Sequence, residues 1–115
     1  MLKPGPAKRL TVYINESSRW HHHSTYHALL ELFRDRGLAG ATVTRGIAGY
    51  TGHGAIDSVD HVEFVSGLPV KIEVTDTAAA IEAVLAEVCA MVGKGLVELQ
   101  DTTVVSFATG ETRTR

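Results

Sequence analysis

Leu10, Val12 and Ile14 alternate with Arg9, Thr11 and Tyr13, a period of two that predicts a strand with one buried face. From Ser24 the period lengthens. Tyr26, Leu29, Leu30 and Phe33 recur at helical spacing, with Ser24 or Thr25 as the cap and Gly37 as the stop. Ala41 to Tyr50 holds β-branched Thr42, Val43, Thr44 and Ile47, but Gly46 and Gly49 interrupt it. That pattern predicts a second strand that is imperfect near its end. Thr51 to Val59 is rich in Gly, Ser and Asp and reads as an exposed loop. Val62 to Val65 then opens a strand that Gly67 and Pro69 disturb, after which Val70, Ile72 and Val74 alternate with Lys71, Glu73 and Thr75 as far as Asp76. Asp76 is the expected N-cap of a second helix with the face Ile81, Val84, Leu85, Val88 and Val92, ended by Gly93 and Gly95. Leu96 to Phe107 predicts the last strand, and the TGETRTR tail is expected to be frayed.

The predicted order of strand, helix, strand, strand, helix, strand is the split βαβ arrangement of an α+β, ferredoxin-like sandwich with both helices on one sheet face. A chain of 115 residues predicts one domain over 1–115, with a core of about 8–107 and flexible tails. The face away from the helices would carry Thr11, Tyr13, Lys71, Glu73 and Thr75. Such a mixture suits either solvent or a partly polar subunit contact.

Composition narrows the function classes. Hydrophobic residues make up 44% and charged residues 21% of the chain, which is the profile of a folded protein. Eleven Lys and Arg against thirteen Asp and Glu leave no positive field to draw the chain onto nucleic acid, so no nucleic-acid partner is expected. The only cysteine, Cys89, lies in an apolar helical run and implies a reducing compartment. The MLKPGPAKR start lacks an apolar region behind its cations, and no stretch reaches the roughly 20 apolar residues of a membrane span. A cytoplasmic location is expected.

Three groups of residues carry candidate chemistry. Arg45, Gly46, Ala48 and Gly49 combine a guanidinium with glycine backbone that can approach a phosphate closely; equally, the glycines can serve a bulge and a turn. Gly93, Lys94 and Gly95 can form a small anion nest, or simply stop the helix. Trp20, His21, His22, His23 and His27 crowd the start of the first helix, and the i, i+4 pair His23 and His27 can chelate a divalent metal. The bland reading is an exposed or interface cluster, with incidental metal binding and with Trp20 sealing the core edge. In a ring, His53 and His61 would add to the local histidine density. Neither a Walker loop nor a GxSxG nucleophile motif is present, and no general base is singled out, so no enzyme is expected.

The runs GLAGATVTRGIAGY (37–50), LPVKIEVTD (68–76) and GLVELQDTTVV (95–105), together with YINESSRW (13–20), resemble the PII-like family catalogued as domain of unknown function 190. More distantly they resemble the PII nitrogen-signalling proteins. The resemblance implies a homotrimer whose clefts between subunits bind an adenine nucleotide (ATP, ADP or AMP) as effector, with no required cofactor. Carried onto this sequence, the candidate ligand residues are Arg45, Gly46, Gly49 and Tyr50, then Gly93, Lys94 and Gly95, with signalling through the loop at 50–62. Both VGKGL and the loop after the second strand are shorter than in PII proteins. The resemblance also implies a membrane transporter or channel as partner. The alternative is a trimeric divalent-metal binder, similar in fold to the divalent-cation tolerance proteins, that uses His21, His23 and His27.

Overall fold

The structure is a computed structural model that describes residues 1–60 and 67–110. In chain order its elements are β1 (Gly5–Asn15), β2 (Arg19–Trp20), β3 (His23–Ser24), α1 (Thr25–Asp35), β4 (Ala41–Arg45), β5 (Ala48–Gly49), β6 (Asp57–Ser58), β7 (Pro69–Asp76), α2 (Ala78–Met91) and β8 (Leu96–Val104). β1, β4, β7 and β8 form one antiparallel sheet in the order β4-β7-β1-β8. With one helix between β1 and β4 and the other between β7 and β8, this is the α+β, ferredoxin-like arrangement that the periodicity predicts.

The register explains the core. Leu10 stands opposite Val74, Val12 opposite Ile72 and Ile14 opposite Val70, so the two central strands present one continuous apolar face. Leu29 and Phe33 of α1 and Ile81, Val84, Val88 and Met91 of α2 close over it. A slip of one residue would turn every one of those strand side chains to the other face, which is why the alternating pattern specifies the pairing so strongly. Burial of each large side chain contributes about 1.5–3 kcal/mol.

Several boundaries differ from the sequence expectation. β1 starts at Gly5, because Gly5, Pro6 and Ala7 pair with Val104, Thr103 and Thr102 of β8. The last strand ends at Val104 rather than Phe107. Thr77, not Asp76, caps α2: the Thr77 hydroxyl accepts the Ala80 amide at 3.1 Å. Asp76 is instead the buried last residue of β7, and its carboxylate accepts the amides of Thr77 (2.6 Å) and Ala39 (2.8 Å). It thereby ties the strand to the loop after α1. Ser24 occupies the N-cap of α1 without a side-chain capping bond, while the amide of buried Thr25 donates to the Ser18 carbonyl at 2.9 Å. Gly37, at φ 74°, stops α1 as expected; the Leu38 amide reaches back to the Phe33 carbonyl at 3.0 Å. Arg36 at that end pairs with Glu87 of α2.

The expected second strand is two pieces. β4 ends at Arg45, and β5 leaves the main sheet to pair with β6, so the expected plain loop contains a short hairpin. The strand expected over Val62 to Val65 lies outside the described residues, as do His61 and the end of the tail. A second hairpin, β2–β3, turns through His21 (φ 51°) and His22 (φ 70°), both left-handed. Two left-handed residues are what a tight antiparallel turn of this length requires, although Asn and Gly usually supply them.

Candidate ligand-binding site

Where β1 ends, the chain runs through Asn15, Glu16, Ser17 and Ser18, four consecutive hydrogen-bonding side chains. Asn15 is the hub. Its Oδ1 accepts from the Ser17 amide (2.8 Å) and the Ser17 hydroxyl (2.7 Å). Its Nδ2 donates to Asp57 Oδ2 (3.3 Å) and to the Gly67 carbonyl (3.2 Å). One amide thus anchors both stems of the segment between Asp57 and Gly67 to the end of a core strand. The Glu16 amide adds a bond to the Leu68 carbonyl at 2.8 Å.

Against this frame stands the turn between α2 and β8. Gly95 packs so closely on β1 that a Cβ there would lie 2.4 Å from the Tyr13 carbonyl oxygen. That approach brings Lys94 over the loop after β5. A Cβ on Gly52 would stand 3.3 Å from Lys94 Cε, and one on Gly54 would stand 3.5 Å from Lys94 Nζ. Between these parts is a cavity of about 320 Å³, lined by Asn15, Ser17, Ser18, Thr51, Asp57 and Lys94. The Gly54–Ala55 backbone completes its wall. Among the described residues, its hydroxyls, an amide, the Lys94 ammonium and the Asp57 carboxylate make it a place for a small polar or anionic group.

The predicted site residues therefore divide. Lys94 lines the cavity, and Gly95 positions it. Gly46 and Gly49 serve packing: a Cβ on either would lie 3.1 Å from Pro69 Cγ, and the Gly46 amide is engaged by the Pro69 carbonyl at 2.7 Å. Arg45 is held by Glu16, Nε to Oε2 2.9 Å. Tyr50 is exposed, and Gly93 has open space around its Cα. Asn15, Thr51 and Asp57 escaped the sequence reading. Only the polar NESS run directly after an apolar strand marked that place.

The histidine group does not converge. Among the described residues, no three His, Cys, Asp or Glu side chains gather as metal ligands. His27 instead faces Glu31 at 3.6 Å on the exposed side of α1, and His21 stacks obliquely on Trp20 with ring centres 4.3 Å apart. Trp20 packs against the core cluster. The alternative metal site at His21, His23 and His27 has no support among the described residues of a single chain.

The fold is that of the PII-like proteins. CPII of Thiomonas intermedia K12, in a structure bound to ADP and bicarbonate, superposes with a TM-score of 0.65 at 16% identity, covering 92% of this chain and 95% of CPII. Its apo form gives 0.59 at 14% identity, covering 89% and 95%. Within that class, residues 7–104 match the family DUF190, described as Uncharacterized ACR, COG1993, and the chain belongs to it. A UPF0166 protein of Aquifex aeolicus is 36% identical over 100 residues, which are 85% of this chain and 92% of that protein. One from Methanocaldococcus jannaschii is 30% identical over 96 residues, 83% and 88% of the two chains.

Proposed function

We propose that the chain is a PII-like regulator that binds an adenine nucleotide at its subunit seams and signals through the loop at 50–62. The observation that carries this reading is the Lys94 bridge: the turn after α2 and the loop after β5 share one polar cavity, with Lys94 in its lining and the Lys94 Nζ beside Gly54. The CPII structures, which hold ADP, AMP and bicarbonate, support a nucleotide as effector. Ile47, Tyr50, Ile56 and Val59 are large apolar side chains exposed on and beside that loop, a surface suited to a protein partner. A membrane transporter or channel is the partner this reading favours, and a homotrimer in the cytoplasm is its working form. Ligand contacts at Lys94 would hold the loop in one arrangement, so that binding energy becomes loop order. The protein acts by contact and not by turnover.

Two measurements on one sample test this. Calorimetry with ADP should give saturable heat, and ADP should protect the chain from protease cleavage between Thr51 and Asp60. Unchanged cleavage together with no heat from any adenine nucleotide contradicts the reading.

A further inference from the structure

The sheet order β4-β7-β1-β8 puts β4 and β8 at opposite edges, and among the described residues no strand pairs with the outer side of either. The two edges present different things on the helix side. On β8, Val97 stands opposite Val12 and Leu99 opposite Leu10, so both point to the side of the core. Val97 packs against the core cluster, but Leu99 is 42% exposed, an apolar side chain at the rim of the sheet. On β4, Ala41 stands opposite Val74 and Val43 opposite Ile72, which puts them on that same side. Beside Ala41 a hollow of about 380 Å³ opens, lined also by Leu30, Phe33, Arg34, Leu38 and Gly40. One edge thus carries an apolar knob and the other a largely apolar hole. Their charges match as well: Asp101 follows Leu99 on the same face of β8 with its side chain 86% exposed, and exposed Arg34 lines the hollow.

We infer that β8 of one copy of this chain docks along β4 of the next, with Leu99 in the hollow between β4 and α1 and Asp101 beside Arg34 at its rim. The inference rests on the homotrimer proposed above and names the surfaces that build it. Ala41, Val74, Leu10 and Leu99 form one row across the sheet. Rotation about an axis along the strands shifts nothing along them, so it brings Leu99 of one copy to the level of Ala41 in the next. β4 runs parallel to β1, since both are antiparallel to β7, whereas β8 runs antiparallel to β1. The two edges therefore meet in opposite directions, the geometry of an antiparallel ladder. A contact between two different surfaces repeats from copy to copy and makes a ring when the rotation closes. It also sets the Arg45 end of β4 beside the Leu96 end of the next β8. The loop after β5 and the turn holding Lys94 follow from those two ends, so the next copy's turn joins the seam where the ligand reading needs it.

Light scattering on purified variants tests this. Leu99→Glu puts a charge on the knob. Gly40→Glu puts one in the hollow, and a Cβ at Gly40 meets nothing within 4 Å, so the fold has room for it. Circular dichroism melts check that both variants remain folded. The wild-type chain should run as the ring, and each variant alone should fall to the 12.3 kDa mass of one chain. Mixed in equal amounts, Leu99→Glu copies offer an intact hollow to the intact Leu99 of Gly40→Glu copies, so pairs of twice the 12.3 kDa chain mass should form. Either folded variant keeping the wild-type mass overturns the inference and leaves the homotrimer standing. A mixture that stays at one chain mass also overturns it, and is the result expected if β8 meets β8 or a strand of another protein. A wild-type chain that is itself single removes the homotrimer and the inference together.

Discussion

Gly93 and Gly95 flank Lys94 and read alike in the sequence, but the backbone treats them differently. A Cβ on Gly95 would meet the Tyr13 carbonyl at 2.4 Å and Ile14 Cγ2 at 2.8 Å, so the strand itself would have to move. On Gly93 it would meet nothing within 4 Å. Gly95→Ala should therefore cost about 1–3 kcal/mol, the usual cost of forcing extra volume into packed structure. Gly93→Ala should change stability by no more than about 0.5 kcal/mol. Urea midpoints of the two variants decide it, and equal midpoints would contradict the assigned roles. The same limit explains what was legible at this scale. Lys94 was visible as a cation between glycines. The work of Asn15 was not, because its partners Asp57 and Gly67 lie 42 and 52 residues away, and no local pattern encodes such contacts. Gly46 and Gly49 look like phosphate-binding glycines until Pro69 is found packed over both.

At the scale of elements, β1, β7 and the two helices followed from period alone, because each buries one face against the same core. The opening of β1 did not, since Pro4, Gly5 and Pro6 look like a chain break; only the partner strand β8 makes them a strand. That ladder carries a testable charge pair. Lys8 Nζ lies 2.7 Å from Asp101 Oδ1. The hydrogen bond and the nearby charge hold the Asp101 carboxyl below its ordinary 3.8 and lift the Lys8 ammonium above its ordinary 10.5. A lowered acid contributes stability that is complete above 3.8 and disappears as pH falls through the folded value. A raised base contributes stability that is complete below 10.5 and disappears as pH climbs through its folded value. Asp101→Asn should thus lower the denaturation midpoint slightly at neutral pH, and the difference should vanish in the acid range below 3.8. Because the pair faces solvent, added salt should shrink the effect. A difference that persists in acid would assign it to something other than this pair.

At the scale of the whole molecule, the described residues place both helices on one sheet face and none on the other. Arg9, Thr42, Glu73 and Thr75 line a hollow there of about 580 Å³, together with Leu2 and Phe107 from beyond the strand ends. Tyr13 and Leu96 stand opposite each other on that face and are substantially exposed, and Leu99 and Val105 are exposed along β8 and just past it. β8 itself is a strand of nine residues at the edge of the sheet, and among the described residues no strand pairs with its outer side. Such an edge and such a face are ordinarily covered. The polar and apolar mixture of this face was legible in the alternation along β1 and β7, but what covers it was not, because that depends on geometry between chains. Assembly into a ring with shared crevices is the claim on which the ligand site and its signalling both stand. Light scattering on the purified protein measures it directly. Three times the 12.3 kDa chain mass is the predicted result, and a molecule that stays at the mass of one chain at all concentrations would contradict it.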